Sequence, residues 1–105
     1  MDPRTAFVRR DELQMIDVRE PFEWQAGHIE GAQHIPMGEI QTRLDEIDDG
    51  KPLLAICRSG NRSGHVARFL RRKGFQIENL DGGMRAWMKT GLPVAGVSAR
   101  PGRVV

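Results

Sequence analysis

The stretch that decides the fold is LLAICRSGNRSGHVARFLRRKG, residues 53–74. It opens with five apolar residues, Leu53–Cys57, a pattern typical of a strand that is buried on both faces and lies centrally in a parallel sheet. An amphipathic helix is predicted over Ser63–Lys73, with Val66 and Leu70 on its apolar face. This order of strand, short loop and helix predicts a βα unit.

Similar units are predicted on both sides of this stretch. Further strands are predicted at Met15–Val18, Gln33–Pro36 and Phe75–Leu80, and further helices from Pro21 to Gly27, at Met37–Ile47 and at Met84–Lys89. In Met37–Ile47 the apolar residues Met37, Ile40, Leu44 and Ile47 share one helical face. The alternation predicts an α/β domain around a largely parallel sheet.

Length and composition limit the classes of protein. A chain of 105 residues with 39% hydrophobic residues fits one small domain, predicted over residues 1–94, with residues 95–105 as a tail. One cysteine excludes a disulfide within the chain and a zinc site of several thiolates. No apolar run approaches the roughly 20 residues of a membrane span, and residues 1–4 do not resemble a secretory signal, so we expect a cytoplasmic location and no membrane partner. Sixteen cations nearly balanced by fourteen anions along the chain do not indicate a nucleic-acid partner.

The loop after Cys57 carries the chemistry. A cysteine at the end of an apolar run is more often an inert buried thiol. Here the loop joins a buried strand to a helix N-terminus, where free backbone N–H groups form a nest for an anion. The arginines add positive charge, so a thiolate is predicted at neutral pH. The predicted site residues are Cys57, Arg58, Ser59, Gly60, Asn61, Arg62 and Ser63.

The spacing in this loop favours one chemistry over another. Protein-tyrosine phosphatases place five residues between cysteine and arginine, whereas four separate Cys57 from Arg62. The tighter ring suits one sulfur atom carried on the cysteine better than a tetrahedral oxyanion. The structural alternative is a glycine-containing turn, and in either case Ser63 is predicted to be the helix N-cap.

Four motifs in this order resemble the rhodanese family of sulfurtransferases over about residues 13–94. They are IDVRE at 16–20, GHIEGAQHIP at 27–36, the Cys57 loop, and LDGGMRAW at 80–87 followed by GLPV at 91–94. The resemblance implies a three-layer α/β domain, with a central, mostly parallel sheet flanked by helices. Family members usually have a longer N-terminal segment, so either residues 4–13 supply a shortened helix, or the tail or another subunit covers the sheet edge.

The resemblance also implies an activity. Cys57 would take sulfane sulfur from a donor such as thiosulfate, form a persulfide, and pass the sulfur to cyanide or a thiol. No metal or organic cofactor is implied. Ser59 stands where some members carry a thiosulfate-binding cation. With no second thiol in the chain, the sulfur must leave to an external acceptor such as glutathione or a thioredoxin-like protein.

Two other functions stay open. One is a sulfur-relay or regulatory module that accepts sulfur on Cys57 from a protein donor. The other, disfavoured by the four-residue spacing, is a phosphatase or arsenate reductase.

The remaining polar and aromatic residues receive mainly structural interpretations. Asp17 and Arg19 lie at the end of a predicted strand, where they either add positive potential beside the Cys57 loop or pair with each other in a supporting role, which we favour. Turn, strand-end and solvated helix positions are predicted for the histidines, and core packing for the aromatic residues. These residues are His28, His34, His65, Trp24, Trp87, Phe69 and Phe75.

Overall fold

The computed structural model describes residues 1–96 and 101–105. It contains a four-stranded, all-parallel sheet in the order β2-β1-β3-β4. The strands are β1 (Gln14–Asp17), β2 (Gln33–His34), β3 (Leu53–Ile56) and β4 (Ile77–Asn79). The helices are α1 (Pro3–Val8), α2 (Pro21–Ala26), α3 (Asn61–Arg72) and α4 (Gly83–Lys89). The predicted α/β class and parallel sheet are confirmed.

Both faces of the sheet are covered, as the apolar β3 sequence predicts. Leu53, Ala55 and Cys57 contribute to one core cluster together with the apolar face of α3. Leu54 and Ile56 point to the other face, where they join the cluster that includes residues of α1 and α4. Since β3 pairs with β1 on one side and β4 on the other, it is central in the sheet.

The predicted helix over Met37–Ile47 is wrong. The chain instead forms two 3₁₀ segments, Met37–Glu39 and Gln41–Glu46, and Arg43 has non-helical backbone angles. Ile40 and Ile47 are buried, whereas Met37 is exposed. Gly38 lowers the helix propensity of this segment. Only some of the four apolar residues are buried, so no continuous apolar face packs on the core to stabilise an α-helix.

The N-terminal segment supplies the short helix that the sequence left open. Asp2 caps α1 by accepting a hydrogen bond from the backbone N–H of Thr5, and Ala6 is fully buried. Phe7 of this helix packs edge-on against Trp87 of α4 with 5.9 Å between ring centroids. α1 therefore completes the core on the α4 side of the sheet.

The described part of residues 95–105 lies against the domain. Ala95 forms isolated bridges with His28 and Pro101, and the backbone N–H of Arg103 donates to the Ala26 carbonyl at 2.9 Å. Val104 packs on the core cluster. The predicted division at residue 94 stays a prediction, and residues 97–100 of the predicted tail lie outside the described residues. In the described residues, no helix has the length and apolar character to cross a bilayer.

Candidate active site

Cys57 lies directly after β3, at the carboxyl edge of the sheet, and only 1% of it is exposed. Its Sγ accepts a hydrogen bond from the backbone N–H of Gly60 at 3.0 Å and one from the Ser63 hydroxyl at 3.2 Å. Gly60 is the residue before α3, and its φ of 104° falls in the left-handed region that favours glycine. The loop therefore curls around the sulfur with hydrogen-bond donors pointing inward.

Opposing influences set the ionisation of Cys57. Burial raises the pKa of the thiol and is the largest single influence. The Ser63 hydroxyl and the backbone N–H groups of Ser63, Gly60 and Ser59 lower it, and together they outweigh burial. The pKa of Cys57 is therefore below its usual value, which favours the reactive thiolate.

Ser63 has a different role from the one predicted. The prediction that it caps α3 is wrong, because Gly60 occupies the N-cap position and Ser63 lies in the first turn. The buried Ser63 hydroxyl instead lies between the Cys57 sulfur and the Asn79 side chain. Ser63 thus belongs to α3, and its side chain still faces the Cys57 sulfur.

Asn79, at the end of β4, is a site residue that the sequence interpretation missed. Its Nδ2 donates to the Gly60 carbonyl at 2.9 Å, and its Oδ1 accepts from the Ser63 hydroxyl. A hydroxyl has one hydrogen, so Ser63 can donate either to the Cys57 sulfur or to Asn79 Oδ1. The available signal was the position of Asn79 at the carboxyl end of a strand adjacent to β3.

The two loop arginines do not contact the sulfur by hydrogen bonds. Arg62 forms a two-pronged ion pair with Glu23 of α2, at 2.7 and 2.8 Å, which raises the pKa of Arg62 and lowers that of Glu23. A smaller rise in the Arg62 pKa comes from the charge on Cys57, so the guanidinium lies within electrostatic range of the thiolate. Arg58 Nε donates to the Val105 carbonyl at 2.8 Å. The arginines therefore contribute less to the lowered pKa of Cys57 than the backbone N–H groups and Ser63 do.

The remaining predicted loop residues, Ser59 and Asn61, lie on either side of the N-cap residue Gly60. Ser59 is exposed and contributes its backbone N–H to the setting of Cys57. Asn61 is the first residue of α3 and is exposed. The structure brings the loop together around the sulfur, and the catalytic and binding roles stay predictions.

Asp17 and Arg19 are fully buried and pair with each other. Arg19 Nη2 donates to Asp17 Oδ2 at 2.8 Å and to the Gly27 carbonyl at 2.7 Å. The pair thus connects β1 with the end of α2, beside the strand that carries Cys57. This geometry fits the supporting interpretation, since neither side chain hydrogen-bonds to Cys57 within the described part of the chain.

Two of the three histidines, His28 and His34, lie against Trp24. The Trp24 ring stacks on His28 and His34, at centroid distances of 3.7 and 4.8 Å. His34 Nε2 hydrogen-bonds to the Arg19 carbonyl at 2.8 Å, while His65 is exposed on α3. Trp87 is buried as expected, and Phe69 and Phe75 pack against the core, but Trp24 belongs to this stack. Among the described residues no cluster of three His, Cys, Asp or Glu side chains could hold a metal ion.

A family model described as a rhodanese-like domain matches residues 6–90. The chain belongs to the rhodanese-like domain family. Among solved structures, a rhodanese-related protein from Thermoplasma volcanium is 30% identical with a TM-score of 0.88, and the match covers 90% of this chain and 95% of that one. A rhodanese-like domain protein from Staphylococcus aureus has a TM-score of 0.80 at 25% identity, covering 98% and 97%.

Two curated relatives come from Bacillus subtilis (strain 168). "Putative sulfurtransferase YtwF" is 46% identical over 77 residues, which cover 73% of this chain and 75% of that protein. "Putative sulfur carrier protein YrkF" is 40% identical over 78 residues, covering 73% of this chain and 42% of that protein. The rhodanese-like match thus spans less than half of the second relative.

Proposed function

We propose that this rhodanese-like domain is a sulfurtransferase that carries sulfane sulfur as a persulfide on Cys57. The observation that carries the proposal is the buried Sγ, which accepts hydrogen bonds from Gly60 and Ser63 and has a lowered pKa. Membership of the rhodanese-like family and the sulfurtransferase name of a 46% identical relative support a role in sulfur transfer.

With thiosulfate as donor, the Cys57 thiolate attacks the outer sulfur. The S–S bond of thiosulfate breaks, sulfite leaves with the bonding electron pair, and a new S–S bond joins the transferred sulfur to Cys57. The terminal persulfide sulfur then carries the negative charge, and the inward N–H groups of the loop stabilise it as an oxyanion hole stabilises oxygen. A thiol or cyanide acceptor attacks that terminal sulfur and releases Cys57 as thiolate.

Intact mass spectrometry after incubation with thiosulfate tests this proposal. We expect the wild type to gain one sulfur atom and to release sulfite, and Cys57→Ser to do neither while it keeps its fold. Because the chain has one cysteine, a gain of one sulfur atom as a persulfide places that atom on Cys57. A wild type that stays unmodified, or a Cys57→Ser variant that gains the same mass, would refute it.

A sulfur-relay role is the second candidate, and the sulfur-carrier name of a 40% identical relative favours it. In that case Cys57 accepts sulfur from a protein donor such as a cysteine desulfurase. Persulfide formation from a desulfurase with negligible thiosulfate turnover would select this role. In both candidates we propose a thiol acceptor, glutathione or a thioredoxin-like protein, in the reducing cytoplasm, without a nucleic-acid or membrane partner.

A further inference from the structure

A basic cleft lies beside the Cys57 loop, on the side of α4. It has a volume of about 610 Å³ and is lined by residues that include Arg58, Ser59, Arg85, Lys89 and Val104. The cleft is shallow and widely open to solvent. Three of the lining residues are cations and none is an acid.

The cleft is tied to the catalytic loop through the backbone. The N–H of Met84 donates to the Cys57 carbonyl at 2.8 Å, and the N–H of Arg85 donates to the Arg58 carbonyl at 3.0 Å. A side chain at Gly83 would collide with the Cys57 carbonyl, so glycine permits this close approach. The backbone of α4, which carries Arg85 and Lys89, is therefore held against the loop that carries the sulfur.

The two cations on α4 are available to a ligand, whereas Arg58 already has a partner. Within residues 1–96 and 101–105, no carboxylate lies within ion-pair distance of Arg85 or Lys89, and both side chains are exposed. Arg58 Nε already donates to an oxygen in the cleft wall, the Val105 carbonyl next to Val104.

We propose that this cleft binds the carboxylates of an anionic low-molecular-weight thiol, the acceptor of the sulfur held on Cys57. The inference rests on the proposed function. It favours an extended acceptor, because Arg85 and Lys89 lie on α4 whereas the sulfur lies in the loop that α4 contacts. Three cations and no acid among the lining residues favour an acceptor that carries carboxylates.

The chemical step balances without another reactant. The acceptor thiol first gives its proton to the negatively charged terminal sulfur of the Cys57 persulfide, and the resulting thiolate attacks that sulfur and forms a new S–S bond. The Cys57–S bond breaks, and Cys57 Sγ leaves as thiolate with the electron pair. The acceptor sulfur is oxidised to a persulfide while the Cys57 sulfur is reduced, and the proton stays on the transferred sulfur.

Binding of S-methylglutathione, which cannot accept sulfur, tests the cleft independently of catalysis. We expect the full-length double variant Arg85→Gln/Lys89→Gln to bind it about tenfold more weakly than the wild type by NMR titration. The control is Arg4→Gln/Arg72→Gln, which removes the same net charge from exposed positions outside the cleft and should bind as wild type does. Equal binding by the two double variants would overturn the proposal.

Single-turnover transfer from the persulfide supplies the second measurement. In the cleft variant we expect the glutathione concentration that gives half-maximal transfer to rise about tenfold, with little change in the maximal transfer rate. The rate of transfer to neutral β-mercaptoethanol should stay constant. An equal loss with both thiols would mean that the loop has been disturbed and would refute the cleft. If no persulfide forms but S-methylglutathione binding depends on the cleft cations, the proposed function fails and the anion site stands.

Discussion

Removal of the Ser63 hydroxyl tests what keeps Cys57 ionised. In the thiolate state this hydroxyl donates to Sγ across 3.2 Å, and a hydrogen bond to a charged group contributes about 1.5–3 kcal/mol. In the thiol state the Ser63 hydroxyl donates its one hydrogen to Asn79 Oδ1 instead. Only the difference in free energy between these two hydrogen bonds therefore favours ionisation of Cys57. Taking the lower end of that range, Ser63→Ala reduces the ratio of thiolate to thiol about tenfold.

Ultraviolet absorbance of the thiolate as a function of pH measures this ratio directly. The chain has one cysteine and no tyrosine, so the absorbance change on ionisation comes from Cys57 without a tyrosinate contribution. We expect the Ser63→Ala titration to shift to higher pH and thiosulfate-dependent persulfide formation to slow at neutral pH. At high pH, where both proteins are fully ionised, the rates converge.

Thr90→Ala is a matched control. It also removes a hydrogen-bonded hydroxyl, but this one donates to the Ala86 carbonyl and lies at the end of α4 that is far from the loop. Its titration curve should coincide with that of the wild type. If Ser63→Ala titrates like wild type as well, the backbone N–H groups alone keep Cys57 ionised, and our account of Ser63 is refuted.

The ion pair and the close contacts around the loop give two further predictions. Glu23→Gln should lower the free energy of unfolding at neutral pH by about 1–2 kcal/mol in urea, because it leaves the partly exposed Arg62 unpaired. Folding lowers the pKa of Glu23, so this stabilisation is present at pH values above the pKa of Glu23 in the unfolded chain and is lost as the pH falls through its pKa in the folded protein. The unfolding free energies of the variant and the wild type should therefore converge in acid. A constant difference would contradict this. Gly83→Ala should lower the free energy of unfolding by more than the cost of about 1–2 kcal/mol for a left-handed residue, because the new Cβ also collides with the loop backbone. Gly31→Ala is the control, since Gly31 has a positive φ but open space around it, and it measures the conformational cost alone. Equal losses in the two variants would count against the contact.

The predictable parts of this fold are those specified by local pattern. Five consecutive apolar residues identified β3 as a central strand, and the period of α3 identified its buried face. The segment 37–47 failed because its apolar spacing fits a helix, whereas Gly38 and the packing of its neighbours favour 3₁₀ turns. Periodicity alone does not measure that competition.

The candidate site was predictable along the chain but not across it. The sequence of the loop identified Cys57 and its amide ring, since those contacts span six residues or fewer. The contacts of Asn79 with the loop and of Glu23 with Arg62 span 16 to 39 residues, and no local pattern specifies them. The sequence analysis attributed the thiolate to the backbone N–H groups and the arginines together, whereas in the structure the Ser63 hydroxyl and the backbone N–H groups chiefly lower the pKa of Cys57.

The attachment of α4 to the Cys57 loop has a consequence for hydrogen exchange. The Met84 amide is bonded to the Cys57 carbonyl, and its side chain is fully buried in the core cluster that contains Trp87. Its amide hydrogen can exchange with solvent only when α4 detaches from the loop, which requires disruption of that cluster. The Met84 amide should therefore be among the slowest to exchange, and its protection would report the opening of the reactive loop in the absence of any substrate.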